Sequence, residues 1–538
     1  MQSEPLRSIF LSRFRKVWLG LFVLALAGVP IFPGRAWSAE ESPTFNIQTF
    51  VVDGNTLLTE KAVQDILQPY MGPSKTAADV EKARDALEKL YHDQGYPAVL
   101  VNLPEQTVEE DTIHFQVIES KIGNVRVSGN RYYTREKILR DLPSLSSGKI
   151  LYVPDVQKDL EWINRGQDLK ASPVLSPGKE LGLTDVDVKV EDKLPLHGNL
   201  ELNNYNTPGT DDLRLNAMIR YDNLWQRDHS ISAQFQTSPQ NTGEVKLYAG
   251  SYTLPAPWMK DHQIAFYAIK SDSNTTSAGQ GFLVTGKGSI VGMRYVIPLA
   301  PYGAYAHNIT IGLDYKDFQE TTGPNGTIQT PVKYLPLSLS YSSSVPDAWG
   351  VTRFSSLLNV AFRGLVTDQS QFEVKRFGAE GNYMYVTAGV ERQQKLPAGM
   401  SFFLKLDGQI ADQPLINNEQ YIAGGVTNVR GYLLAATLGD DAVHGTAELS
   451  GPDLGPRLGL GSRLQCTPYI FYDYAWVKVT QPLPSQTETT RLQGTGVGLR
   501  GNLYRYMYFE ADLAFPLSST RQTEKNEQQF YFKLGAQF

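Results

Sequence analysis

Phe530-Tyr531-Phe532-Lys533-Leu534-Gly535-Ala536-Gln537-Phe538 alternates without a slip. Phe530, Phe532, Leu534, Ala536 and Phe538 share one parity, and Tyr531, Lys533 and Gln537 share the other. A strand turns successive side chains to opposite faces, so this segment carries one apolar and one polar face. It suits a wall between hydrocarbon and water; as a soluble edge strand it would leave a long apolar edge open to aggregation. Working back from it, sixteen alternating segments, centred from residue 201 to residue 533, are separated by turn-rich stretches. Over 212–221, Leu213, Leu215, Ala217 and Ile219 oppose Arg214, Asn216 and Arg220. Over 401–410, Phe402, Leu404, Leu406 and Ile410 oppose Lys405, Asp407 and Gln409. A charge facing lipid costs roughly 2–4 kcal/mol at the bilayer midplane, which keeps the charges to one parity. Residues 196–538 are therefore predicted to form a transmembrane antiparallel β-barrel.

Composition agrees. Mean hydropathy is −0.29 despite 28 Tyr and 23 Phe, because lipid-facing and water-facing residues cancel in the average. The 50 basic and 56 acidic residues leave a net charge of −6 with no basic stripe, so no nucleic-acid partner is expected. A single cysteine, Cys466, excludes an intramolecular disulfide and a cysteine metal site. Arg7, Arg13, Arg15 and Lys16 precede an apolar run over 17–32 and the small residues of Ala36-Trp37-Ser38-Ala39. Residues 1–39 thus read as a cleaved secretory signal peptide. No other segment approaches the ~18 apolar residues of a spanning helix, so any crossing is by a barrel.

Residues 45–195 read as two copies of one strand–helix–helix–strand–strand unit. The first runs through Val52-Asp53-Gly54-Asn55, helices near 60–70 and 77–94, and strands near 98–103 and 112–118. Val80, Ala83, Leu87, Leu90 and Tyr91 form a stripe on the second helix. The second copy repeats the turn as Val127-Ser128-Gly129-Asn130, with helices near 134–141 and 153–164. With Gly95-Tyr96-Pro97 closing the long helix, these units resemble POTRA domains, the periplasmic modules of the Omp85 superfamily. POTRA 1 is placed at 40–120 and POTRA 2 at 121–195.

The most specific motif is Gly424-Gly425-Val426-Thr427-Asn428-Val429-Arg430-Gly431-Tyr432, within a long loop over about 412–442. Val429-Arg430-Gly431-Tyr432 is similar to the VRGY tetrad in the sixth loop of Omp85 proteins, notably the two-partner secretion transporters (TpsB; ShlB/FhaC/HecB type). The resemblance implies an α+β plus transmembrane β architecture: two POTRA domains and a 16-stranded barrel whose sixth loop folds inward. Its arginine, Arg430, would meet the acid of an F-x-D motif, here Phe471-Tyr472-Asp473. Parity agrees, because Ile470, Tyr472, Tyr474 and Trp476 take the apolar face and Phe471 and Asp473 the other.

The resemblance further implies a non-enzymatic transporter in the bacterial outer membrane, with its POTRA domains in the periplasm. Its partner would be a secreted exoprotein of the adhesin or haemolysin class, crossing unfolded. The first POTRA edge strand, Ala98, Val99, Leu100, Val101 and Leu103, with Leu87 and Leu90 of the helix, would receive it by strand addition. Phe538 resembles the signal read by the barrel-assembly machinery. Two POTRA units point to the secretion branch rather than to barrel-assembly insertases, the second reading, which usually carry five. A general porin, the third, lacks both POTRA units and tetrad. Residues 40–44 leave little room for the plug helix some members carry, so the sixth loop is expected to be the main obstruction.

Other motifs carry no chemistry. Gly281-Phe-Leu-Val-Thr-Gly286-Lys287 is followed by Gly288 rather than Ser or Thr, with no helix predicted to cradle phosphate. Gly494, Gly496 and Gly498 fall inside a strand pattern, where glycines relieve crowding or let the barrel curve. The seven histidines are scattered, and Asp440 and Asp441 near His444 read as solvated loop residues. No catalytic group, metal or cofactor is expected.

Overall fold

The two Gly-Asn turns solve the same problem twice. Gly54 (φ +84°) and Gly129 (φ +87°) lie in the left-handed region, where a side chain is strained. A Cβ on Gly54 would stand 2.5 Å from the Val117 carbonyl oxygen, and one on Gly129 would stand 2.4 Å from that of Val190. After each turn, a carboxylate two residues beyond that valine collects backbone N–H groups. Glu119 accepts from Thr56 and Leu57 (2.6 and 3.1 Å), and Asp192 from Arg131, Tyr132 and Tyr133 (2.8, 2.6 and 2.9 Å). The repeat seen in sequence is thus a repeat of hydrogen bonding.

In the computed structural model, residues 43–272, 276–279, 282–322 and 328–538 are described. The segment expected to be a signal peptide, 1–39, lies outside them, as does Gly281. In the first α/β unit, α1 (Glu60–Leu67) and α2 (Ala77–Asp93) pack on a three-stranded sheet. The sheet's order is Thr49–Asp53, Thr112–Glu119, Val99–Asn102. The first expected strand divides: Phe45–Ile47 pairs instead with Gly72–Lys75. The start of α2 is fixed by Asp79, whose carboxylate accepts the Thr76 N–H (3.1 Å) and is held below the usual carboxylate range by that bond. The second unit places α3 (Arg135–Asp141) and α4 (Val153–Ile163) against Lys121–Ser128, Leu183–Asp192 and Leu169–Pro177.

The sixteen barrel strands are β1 (Leu196–Asn203), β2 (Arg214–Leu224), β3 (His229–Thr237), β4 (Lys246–Ala256), β5 (Met259–Ser271) and β6 (Gly288–Pro298). They continue with β7 (Ala306–Thr322), β8 (Ile328–Tyr334 and Leu337–Asp347), β9 (Gly350–Val360), β10 (Met384–Lys395) and β11 (Ser401–Ala411). The set is completed by β12 (Asp441–Ser450), β13 (Leu464–Lys478), β14 (Thr489–Leu503), β15 (Met507–Pro516) and β16 (Gln529–Gln537). Each expected segment is a strand. All neighbours are antiparallel, and the barrel closes by pairing β16 with β1. That seam has five paired positions, against fifteen between β13 and β14. Phe538 extends it by exchanging backbone hydrogen bonds with Gly198 (3.1 and 3.2 Å).

Burial follows the sequence parity. On β16 Tyr531 is buried while Phe530 and Leu534 are exposed; on β13 Phe471 and Asp473 are buried while Ile470 and Tyr472 are exposed. An outward apolar band of this kind is what a lipid-embedded wall requires. Short turns join the strands at the end where β1 begins, and they carry exposed Trp225, Trp258, Tyr302, Trp349, Tyr504 and Tyr506. Aromatic residues at a membrane–water boundary have this placement. The β2–β3 turn reaches the second α/β unit, where Lys137 is ion-paired with both Asp141 (2.5 Å) and Asp228 (2.8 Å). Loops 5 and 6 join strands at the opposite end. Loop 5 (361–383) contains a helix that the sequence reading missed, α5 (Gln369–Lys375).

Candidate functional site: the loop 6 anchor on the inner wall

Loop 6 leaves β11 after Ala411 and re-enters the barrel at Asp441, so β12 begins one residue before the expected loop end. Tyr421–Ala423 and Thr437–Gly439 pair antiparallel. The loop is a hairpin with Val429-Arg430-Gly431-Tyr432 beyond that paired stem. Val429 and Tyr432 are fully buried, and Arg430 is 6% exposed.

The wall that receives this hairpin is built by register. Asp473 stands opposite Gly494, and Gly494 opposite Pro516, so β13, β14 and β15 offer one row at one height. Arg430 donates from Nε to Asp473 Oδ2 (2.7 Å) and from Nη2 to Oδ1 (2.9 Å), while its backbone N–H reaches Oδ2 (3.1 Å). The fork matches a carboxylate in both direction and charge. The guanidinium carbon lies 3.4 Å from the Phe471 ring centroid, a cation–π contact in a buried site. Nη1 reaches Glu448 at 3.3 Å, and Glu448 also pairs with Arg500. The F-x-D motif therefore supplies both a charge and a ring to one arginine.

Glycine makes the approach possible. A Cβ on Gly494 would stand 1.8 Å from the Arg430 carbonyl oxygen, inside any contact distance. Gly431 (φ +101°) makes a close approach from the loop side: its Cβ would meet the Pro516 nitrogen at 2.8 Å. On the same strand, Gly496 makes room for the Phe471 ring and Gly498 for the Tyr469 ring. The relief of crowding read from the glycine spacing is relief for a docked loop and for lumen-facing aromatics. Tyr531 donates to the Tyr432 carbonyl (2.6 Å) and accepts the Gly431 N–H (2.9 Å). The Tyr432 hydroxyl lies 2.8 Å from the Ser518 carbonyl and 3.0 Å from that of Gln493.

Several anchors were not legible. Asp440 is not a solvated loop residue but fully buried: it forms a bidentate pair with Arg376 of loop 5 and accepts the backbone N–H groups of Leu415 and Thr480 (2.9 and 2.7 Å). Asp441 accepts the Ala411 N–H (3.1 Å). His444, also buried, faces Asp407 through Nδ1 (2.7 Å) and the Asn428 carbonyl through Nε2 (2.9 Å). Tyr421 donates to Asp407 as well (2.7 Å), so loop and wall share one carboxylate. Glu419 of loop 6 pairs with Lys316 (2.5 Å) and accepts from Tyr334 and Tyr385 (2.5 and 3.0 Å). The available signal was parity, which puts Asp407 on the lumen face.

The POTRA edge behaves differently from its expectation. Val99–Asn102 is the sheet edge, but Val99, Val101 and Leu87 point into the core. Leu90, Ala98 and Leu103 are half-buried and Leu100 is exposed. The Val101 N–H is taken by Glu88 (2.9 Å) and the Val99 carbonyl faces His92 Nε2 (3.1 Å). Among the described residues one His–Asp group has metal-ligand proximity: Asp168, His197 and Asp222. Asp222 is paired with Arg220 (3.1 Å) and His197 Nε2 lies 2.8 Å from Asp168, so each of the three already has a partner within the protein.

A closed outer-membrane barrel with a periplasmic POTRA unit and an arginine-tipped loop pinned inside it defines an Omp85-type transporter. The family model "Haemolysin secretion/activation protein ShlB/FhaC/HecB" matches residues 182–501, and the ShlB-type POTRA domain matches residues 45–120. The chain belongs to the ShlB/FhaC/HecB haemolysin secretion/activation family. It is similar to the heme/hemopexin transporter protein HuxB of Haemophilus influenzae, at 19% identity over 85% of this chain and 80% of that protein. Its fold is shared with CdiB from Escherichia coli (TM-score 0.64, 18% identity, 94% and 93% of the two chains). It is also shared with BamA from Haemophilus ducreyi lacking POTRA domains 1–3 (TM-score 0.56, 14% identity, 92% and 100%).

Proposed function

We propose that this protein exports one partner exoprotein to the cell surface, moving an unfolded chain through the barrel lumen, and performs no catalysis. The observation that carries the reading is the buried Arg430–Asp473 pair, which ties loop 6 to the inner wall without being part of the barrel's own hydrogen-bond ladder. The partner is a TpsA-like protein of the adhesin or haemolysin class. It is captured in the periplasm by the POTRA units, among which we place residues 121–195. Capture is by strand addition at Val99–Asn102, where Leu100 and the flanking Ala98 and Leu103 offer side-chain contacts. An incoming strand has to displace Glu88 and His92 from the backbone groups they occupy. Periplasmic export has no ATP, so folding of the cargo outside drives the movement. Phe538, at the β1–β16 seam, serves insertion by the barrel-assembly machinery, and the outward band meets outer-membrane lipid.

The short β1–β16 seam also favours a second reading, an insertase that opens there to assemble other barrels. Depletion separates the two: an insertase lowers many outer-membrane proteins, a transporter lowers one secreted protein. For the gate itself, Arg430→Ala in the full-length protein is expected to cut partner secretion at least tenfold while leaving a folded barrel. Normal secretion by that variant removes the gating role of loop 6.

A further inference from the structure

We infer that loop 5 is a second closure of the conduit, in series with the loop 6 tip, held shut by Lys375 and Arg376 as positioning residues. This rests on the reading of loop 6 as a gate. A water-filled conduit calls for a polar inner wall, yet Leu247, Ile269, Ile290, Val332 and Tyr334 form an apolar patch on the lumen-facing parity of β4–β8. Their outward neighbours Tyr248 and Val291 are exposed, while all five of these are at most 6% exposed. Phe372 of α5 covers the patch, edge-on to Tyr334 with centroids 5.5 Å apart, together with Leu415 and Ile416 at the start of loop 6.

Two buried ion pairs pin that cover. Lys375 donates to Glu320 of β7 (2.7 Å), both side chains being nearly inaccessible, and Glu320 also takes Asn417 and Asn418 of loop 6 (3.0 and 2.6 Å). Arg376 grips Asp440 at the root of loop 6 and donates to the Thr480 carbonyl (2.9 Å). A cation leaving either pair strands a buried carboxylate, so the helix stays down or departs as a unit. Asp440 is held by Leu415, Thr480 and Gln420 as well. Freeing the tip at Arg430 therefore leaves the stem and loop 5 in place, and passage requires both closures to part.

The test uses the full-length protein in planar bilayers and in intact cells. Arg430→Ala and Arg376→Ala alone are each expected to keep time-averaged conductance within twofold of wild type, and the double variant to raise it at least tenfold. In a Cys466→Ser background, Phe372→Cys is expected to resist a membrane-impermeant maleimide and to become labelled when Arg376→Ala is added. Should Arg376→Ala fail to insert, Arg376→Lys, which keeps the charge but not the fork, takes its place with the same expected direction. Full conductance from Arg430→Ala alone, or labelling of Phe372→Cys with Arg376 intact, overturns the second closure. Unchanged secretion by Arg430→Ala overturns the gate reading instead, so the two failures are told apart.

Discussion

Asp473→Asn removes one charge and almost no volume from the lumen wall. The asparagine oxygen can still accept from Arg430 while its NH2 group meets another donor, so any loss reports the missing charge and one missing acceptor rather than a missing shape. What remains is a guanidinium with a 7% exposed side chain, whose nearest anion is Glu448 at 3.3 Å. Breaking a buried pair from one side costs about 3–5 kcal/mol, and Glu448 offsets part of that. Even the lower figure shifts the docked-to-undocked ratio of loop 6 roughly 100-fold, since about 1.4 kcal/mol is tenfold. Hydrogen exchange on the full-length protein in lipid nanodiscs reads this directly. The amides of Arg430 and Gly431 are tied to Asp473 and Tyr531, so peptides spanning 428–433 are expected to exchange about 100 times faster, as the shifted ratio requires. Amides of β13 and β14 are expected to stay slow. Exchange of the 428–433 peptides within threefold of wild type, in an intact barrel, would refute the claim that this pair holds the loop.

Gly494→Val tests the same seat from the wall side. Its side chain has no room beside the Arg430 carbonyl, so loop 6 is expected to lose exchange protection while strand pairing at β13–β14 survives. Gly129→Ala is expected to destabilise the second α/β unit, because its Cβ would press on the Val190 carbonyl at a positive φ; faster limited proteolysis within 121–195 checks it. Glu88→Ala is expected to tighten capture of the partner's secretion domain by freeing the Val101 N–H. Weaker binding in a titration would show that strand addition does not occur at that edge.

The barrel was legible because lipid imposes a rule on every second residue. One parity therefore placed all sixteen strands and correctly turned Phe471 and Asp473 inward. The Gly-Asn turns were legible because a left-handed backbone against a carbonyl leaves few substitutes. Loops follow no such rule. The helix α5 is seven residues long with one buried residue, Phe372, which gives no period to detect. Asp440 looks solvated in sequence because its partners, Arg376, Leu415 and Thr480, come from separate loops that pack around it. Leu87 belongs to an apolar helical stripe, and a stripe does not say which of its members face the core and which face a partner. Phe45–Ile47 and Thr49–Asp53 read as one strand, since the pattern does not reveal that the first piece has a different neighbour.

A chain drawn outward through a pore drags the pore with it. The aromatic residues in the short turns, from Trp225 to Tyr506, oppose that load. Each would have to trade the bilayer boundary for hydrocarbon, carrying its polar edge out of water, before the cylinder could ride upward. Spread around the rim, they resist tilt as well as lift. Traffic can then pull on the cargo without uprooting its carrier.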